Sequence, residues 1–248
     1  MKLLVLLALL SSGIGGPVLR ADAVFDAGVA AEQKGDAAAA LRYFLEADRA
    51  KPNDPKILQH VARQYSDLAD FQPSLEQKRD YAEKALQYSE LTAKLEPNNA
   101  EHVLSLAISH GKLATYGDNR TKVRYAGLIK QEAEEATQLD PNYGWAHYVL
   151  GRWNYEVAKI NHAEQFFVKV LYGGMPAGSN EVAIRELKLA TELAPTEPAP
   201  WIDLGFAYAA AGQTEAARHA WKQGMQLPGV RSDQIEAKIR GKSALASN

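Results

Sequence analysis

Five prolines punctuate this chain, Pro52, Pro97, Pro141, Pro195 and Pro228, and each follows a run with helical character. The first four stand in near-copies of one phrase: Ala-Lys-Pro-Asn, Leu-Glu-Pro-Asn, Leu-Asp-Pro-Asn and Leu-Ala-Pro-Thr. Proline cannot continue a helix, and it disfavours helical backbone in the residue before it. A nearby Asn or Asp favours a fresh helix start. Each phrase therefore ends one helix and begins another. The repetition predicts an all-α chain of helix–turn–helix units stacked in series.

The last complete unit resembles the tetratricopeptide pattern. Trp201-x2-Leu204-Gly205-x2-Tyr208 is followed by Gly212, Ala217, Trp221 and Pro228. Small residues let two antiparallel helices approach closely while large ones fill the groove beside them. The first unit agrees, with Gly28, Gly35, Ala40, Phe44, Ala47 and Pro52 in matching phase. The fourth keeps Leu150-Gly151, Ala183, Leu187, Ala190 and Pro195, with His147 and Asn154 where the pattern has aromatics. Two units are degenerate, with Leu58, Val61, Ala62, Tyr65 and Ala85, then Val103, Leu106 and Ala107, as their best matches. The expected fold is a right-handed solenoid of about five such hairpins over residues 24–229. Residues 230–248 are expected to form a capping helix, Asp233 to Ala244, and a tail.

The prolines stand 45, 44, 54 and 33 residues apart, whereas a standard unit takes about 34. Three units are thus enlarged, and their extra residues fall between the two helices of a pair: Asp70–Gln77, Gly111–Gly127 and Asn161–Asn180. Insertions at equivalent places emerge on one face or edge of a solenoid; the same lengths would also follow from longer helices. Leu171 to Asn180, rich in Gly and Pro, is expected to be a loop.

With 248 residues, 46% of them hydrophobic, the chain can bury a substantial core. A formal charge of −2 gives no electrostatic reason to expect nucleic acid. Cysteine is absent, which excludes disulfides, thiolate nucleophiles and cysteine-ligated metals. Residues 1–23 read as a secretory signal: Met1-Lys2, an apolar run Leu3 to Leu10, glycines, and a small-x-small site at Ala21-Asp22-Ala23. The implied location is periplasmic or extracellular, with an uncleaved N-terminal membrane anchor as the alternative.

The least typical stretch runs from Trp145 to Gly174, where Trp145, Val149, Trp153, Val157 and Ile160 mark a buried helical face. Within it, Leu150-Gly151-Arg152-Trp153-x-Tyr155-x-Val157-Ala158-Lys159, then Leu171-Tyr172-Gly173 and Pro176, resembles the regulator of microtubule dynamics family. Leu106-Ala107-Ile108, Lys122, Ala183, Ala190 and Pro195 match it too, so the likeness covers roughly Leu58 to Pro228. The resemblance implies an α-helical repeat fold. Several eukaryotic members have an N-terminal membrane anchor, and in one the repeat domain binds and transfers phospholipid at contacts between endoplasmic reticulum and mitochondria. The N-terminus here differs, and a long acidic linker is missing, so tethering and microtubule roles are not carried over.

Catalytic chemistry finds no support in the residues. None of His60, His102, His110, His147, His162 and His219 lies four residues from another, so no helical metal-binding pair arises. No Gly-x-Ser-x-Gly elbow is present, and Gly173-Gly174-x3-Gly178-Ser179 lacks the lysine of a phosphate loop. Glu132, Glu134 and Glu135 read as a solvated helix face. No enzyme, cofactor or metal is therefore expected. One expected function is a scaffold in the cell envelope that binds a protein or peptide partner on its concave face. The other is a pocket for phospholipid or another apolar ligand. It would be lined by Arg152, Trp153, Tyr155, Lys159, Phe166, Phe167 and Tyr172, with Arg124 and Lys130 approaching from the preceding unit. The same aromatics could equally pack the helix against its neighbours.

Overall fold

The computed structural model describes residues 17–247, and all regular structure among them is helical. Ten helices pair into five hairpins. These are α1 (Pro17–Gln33) with α2 (Ala37–Ala50), α3 (Pro55–Ala69) with α4 (Leu75–Leu95), and α5 (Ala100–Tyr116) with α6 (Asn119–Leu139). Then α7 (Gly144–Ala158) pairs with α9 (Asn180–Leu193), and α10 (Pro198–Ala210) with α11 (Thr214–Gln226). Two helices stand outside the pairs: α8 (His162–Tyr172), between α7 and α9, and α12 (Ser232–Ser247), packed on α10 and α11. The buried apolar clusters follow one another along the stack, each shared between neighbouring units, so the chain is an α solenoid.

Every punctuating proline stands two residues beyond a helix end: Ala50, Leu95, Leu139, Leu193 and Gln226 are the last helical residues. In the first four cases the residue between leaves the helix with nearly the same backbone angles. Lys51, Glu96, Asp140 and Ala194 have φ between −140° and −130° and ψ between 62° and 96°. Each still donates its N–H to the carbonyl four residues back, at Ala47, Thr92, Ala136 and Ala190. The next helix is then capped by a side chain in two of these four connections, through Asp54 and Asn99. Pro55 and Pro198 occupy first-turn positions, where a missing N–H costs nothing.

Within hairpins the close approach depends on paired sizes. A Cβ on Gly28 would lie 2.6 Å from the Phe44 ring, on Gly151 2.7 Å from Leu187 and on Gly205 2.3 Å from Trp221. In the two degenerate units alanine replaces that glycine, at Ala62 and Ala107, and a small residue, Ser89 or Ala133, stands at the matching position of the second helix. Ser89 and Ala133 are fully buried, so these units close their core with smaller pairs.

Of the two readings of the enlarged units, longer helices hold for the first two, and two other expectations need correction. The first two enlarged units contain no inserted loop. Their second helices α4 and α6 are 21 residues long, against 14 for α2, and α5 runs on through Gly111 to Tyr116. Strong side-chain caps at Ser74 and Asp118 let these helices start early. Only the third enlarged unit gains an element, α8, which begins at a capping box formed by Asn161 and Glu164 and stops at Gly173 with φ 83°. Consequently Leu171 and Tyr172 are helical, Asn180 opens α9, and the loop is confined to 173–179. Ile160 lies beyond the end of α7 rather than on its buried face.

Residues 1–16 of the expected signal lie outside the described residues; Ala21 to Ala23 fall within α1, where Ala21 is buried. Among the described residues no helix is long and apolar enough to cross a membrane.

Gly28→Ala should destabilise the first hairpin by roughly 1–3 kcal/mol, the usual cost of overpacking. Because only the Phe44 side chain is in the way, Phe44→Leu should recover part of that loss when combined with it. Urea denaturation of the two single variants and the double variant measures the coupling; strict additivity would contradict the size-pairing account.

Candidate binding groove

The first helices of the middle hairpins, α3, α5 and α7, wall a cavity of about 730 Å³, which the 231–240 segment and α12 close from the other side. The groove-facing positions recur at helical spacing. They are Gln59, Arg63 and Ser66 on α3 with Asp70 at its end, Ser105, Ile108, Lys112 and Thr115 on α5, and Trp145, Tyr148, Arg152 and Glu156 on α7. From α12 come Asp233, Glu236 and Arg240, again on one face. The adjoining face of α12 carries Ala237, Gly241 and Ala244, with Gly241 seated on Ile202.

Charge is paired along these walls. Arg63 bridges Glu32 at 3.3 Å and Glu101 at 3.1 Å, linking α1, α3 and α5. Asp70 takes hydrogen bonds from Lys112 and the Tyr116 hydroxyl. On the far side, Arg152 donates to the Tyr148 hydroxyl at 3.1 Å, which donates to buried Asp203 at 2.9 Å. Arg240 of α12 reaches the other oxygen of Asp203 at 2.5 Å. Arg231 joins Glu197 at 2.9 Å and lies over the Trp145 ring. Burial raises the hydroxyl pKa of both Tyr143 and Tyr148, so both stay protonated donors.

Asp67 is the exception. Among the described residues its carboxylate accepts no hydrogen bond, and burial, helped by the charge of Asp233, pushes its pKa up to about 7. Lys112, Arg63 and Arg231 oppose that shift without making contact.

His147, set apart by the sequence, is a packing residue. Its Nδ1 lies 2.7 Å from the Glu186 carboxylate and its Nε2 2.9 Å from the Pro141 carbonyl. Two acceptors on two ring nitrogens require both to carry protons, which makes the ring an imidazolium. The Glu186 hydrogen bond raises the His147 pKa, and the same bond lowers that of Glu186. This pair pins α7 to α9 across the enlarged turn. His162, by contrast, is exposed. Glu132 is not solvated as expected: it is buried and 2.9 Å from His110, while Glu134 pairs with Lys130 and Glu135 is exposed.

The nine residues expected to line an apolar pocket do not come together. Arg152 and Trp153 line the groove, and the Trp153 ring N–H is held by the Ala126 carbonyl at 2.8 Å. Tyr155 packs towards Phe206 beneath Lys159, itself paired with Glu156 at 2.9 Å. Lys130 lies near Trp153, and Arg124 lies exposed beside Tyr125. Phe166 and Phe167 are about 60% exposed on α8, as Tyr172 is in part, all away from the groove. A smaller cavity of about 540 Å³ lies under α8, between Val157, Ile160, Gln165, Lys169 and the 173–177 loop. Sequence reasoning passed over Arg63, Asp67, Glu101, Tyr143, Arg231 and Arg240. The polar stripe along each first helix was visible at helical spacing; the part played by α12 had no such signal.

Fold and groove together define the class: a tetratricopeptide-like helical solenoid with a grooved inner face. Its backbone is similar to that of a thermophilic tetratricopeptide-repeat protein of Thermus thermophilus. That likeness has a TM-score of 0.65 at 19% identity and covers 91% of this chain and 99% of the other. A family model described as Regulator of microtubule dynamics protein 1-3 matches residues 19–248, and the chain belongs to that family. It is 26% identical over 183 residues to regulator of microtubule dynamics protein 3 of Xenopus laevis, covering 73% of this chain and 40% of that protein. With human regulator of microtubule dynamics protein 2 the identity is 25% over the same length, covering 73% and 45%. The chain thus spans less than half the length of these curated relatives.

Asp67 gives a pH prediction. Its folded pKa lies above the unfolded value of 3.8, so the folded chain holds an extra proton up to about pH 7. Its contribution to stability therefore falls as pH rises through that window. Asp67→Asn should be more stable than the parent above pH 7 by about 1–2 kcal/mol, allowing for water in the groove, with the gain shrinking towards pH 4. Urea denaturation across pH is the check, and a gain independent of pH would contradict the assignment.

Proposed function

We propose that this chain is a non-enzymatic scaffold whose inner groove holds an extended segment of a partner protein. The carrying observation is the groove lining, where carboxylates and cations from α3, α5, α7 and α12 alternate with Trp145, Tyr148 and Trp153. A peptide brings a donor and an acceptor with every residue, and its backbone needs partners wherever it is desolvated. Acyl chains make no such use of charged walls. The volume of about 730 Å³ also falls in the usual range for ligand sites, about 300–1,000 Å³. The solenoid fold favours the same reading, because stacked repeats present an extended concave surface.

Peptides selected from a display library against the full chain test this. Bound peptides should lose at least about tenfold in affinity on Ile108→Glu or Glu236→Lys, two exposed groove positions, and nothing on Tyr43→Ser, outside the groove lining. Binding indifferent to both groove substitutions would overturn the proposal.

The proposed setting is the cell envelope, an assignment that rests on residues 1–23 alone. Expressed in a bacterial host, the chain should be recovered from the periplasm with a mass corresponding to a start at Val24. Recovery of the intact chain from the cytosol would count against export.

A further inference from the structure

Helix α8 is amphipathic the wrong way round. In a solenoid the outer faces are polar and the apolar stripes are buried, yet α8 has no buried residue at all. Among the described residues, five of the exposed large apolar side chains fall within seven consecutive positions: Phe166, Phe167, Val170, Leu171 and Tyr172. Phe166, Phe167, Val170 and Leu171 lie within an arc of about 140° on the helix surface. Only Val168 among its large apolar residues is partly covered, and the polar Gln165 folds back onto the Ile160 carbonyl at 2.9 Å. Such a face is not needed for packing. The capping box at Asn161 and the left-handed Gly173 nevertheless give the helix defined ends, so it is a built element rather than a slack insert.

Charge beside this face is mainly positive, with Glu164, Asp118 and Glu181 as exposed acids on the same edge. Helix α8 touches α6, and both begin on the edge of the solenoid where first helices turn into second helices. Between Asn119 and Gln131, α6 carries Arg120, Lys122, Arg124 and Lys130 and no carboxylate. Arg120 and Arg124 are exposed and form no ion pair among the described residues, while Lys122, also exposed, belongs to the groove lining. Lys169 adds a further exposed cation on α8 itself, while the nearby acids Glu164 and Asp118 are engaged as helix caps. On the same edge, in the turn of the second hairpin, Phe71 and Leu75 are also more than half exposed.

An apolar helical face flanked by unpaired cations is complementary to an anionic lipid surface. We infer that this edge docks on an anionic bilayer, with α8 lying in the interface. Phe166, Phe167, Val170 and Leu171 enter the acyl boundary, and Arg120, Arg124 and Lys169 meet the headgroup phosphates. The groove then stays open to a peptide, so the inference stands independently of the proposed function.

Sedimentation of the full chain with phosphatidylcholine vesicles, with and without phosphatidylglycerol, provides the test. Binding should require phosphatidylglycerol and fall at least tenfold with Phe166→Ser plus Leu171→Ser. Arg120→Gln plus Arg124→Gln should lower it about twenty-five-fold, at roughly fivefold for each cation lost. These side chains are exposed, so an unchanged thermal midpoint will separate lost docking from lost folding. Phe167→Trp adds a local readout, since its emission should shift to the blue on vesicle binding. A chain held only through residues 1–23 would leave that emission unmoved and overturn the inference. So would vesicle binding that survives both pairs of substitutions, or a soluble dimer dispersed by Phe166→Ser plus Leu171→Ser, which would make a second copy the occupant of this face.

Discussion

A residue that precedes proline meets steric resistance to helical backbone, and this constraint organises the entire chain. Lys51, Glu96, Asp140 and Ala194 leave their helices with almost identical angles, so four successive connections turn the chain through similar corners. Similar corners between similar hairpins generate a regular superhelix, and a regular superhelix has an inner face. The groove, its charged walls and the common edge of turns all follow from that repetition. Hairpin packing adapts beneath it, through Gly28 with Phe44 in one unit and Ala107 with Ala133 in another.

This explains what could and could not be read from sequence. Helix ends were legible because proline acts on its immediate neighbours, and the five hairpins followed from them. Helix lengths were less so: Ser74 and Asp118 cap α4 and α6 early, but a serine or aspartate in a polar stretch looks the same whether it caps or not. The groove was half legible. Arg152 and Trp153 stood out by their unusual context, while Arg63 and Asp67 looked like ordinary polar residues on a surface helix. Their meaning comes from curvature, which brings α12 opposite α3. Phe166 and Phe167 misled for the complementary reason: apolar residues usually mark an interior, and here they face outward.

Buried polar contacts do the work of register in the enlarged unit. The imidazolium of His147, bonded to Glu186 and to Pro141, ties α7 to α9 and to the preceding corner at once. Asn154 adds a second tie, donating to the Leu150 carbonyl while its side-chain oxygen accepts from the Ser179 N–H. With these anchors on either side, α8 and its loop can stand away from the stack without loosening it. The two polar residues that depart from the repeat pattern are thus the ones that tolerate the insertion.

Gly35, in the turn between α1 and α2, has φ +76°, and a Cβ there would lie 2.6 Å from the Val230 carbonyl oxygen. The first hairpin therefore touches the linker that leads into α12, so the two ends of the stack meet. An open solenoid behaves as a spring whose ends move freely; this one behaves as a bracelet with a clasp. Any widening of the groove must either part the clasp at Gly35 and Val230 or be shared as small rotations among all the corners. A bulky occupant is consequently sensed at both ends of the chain.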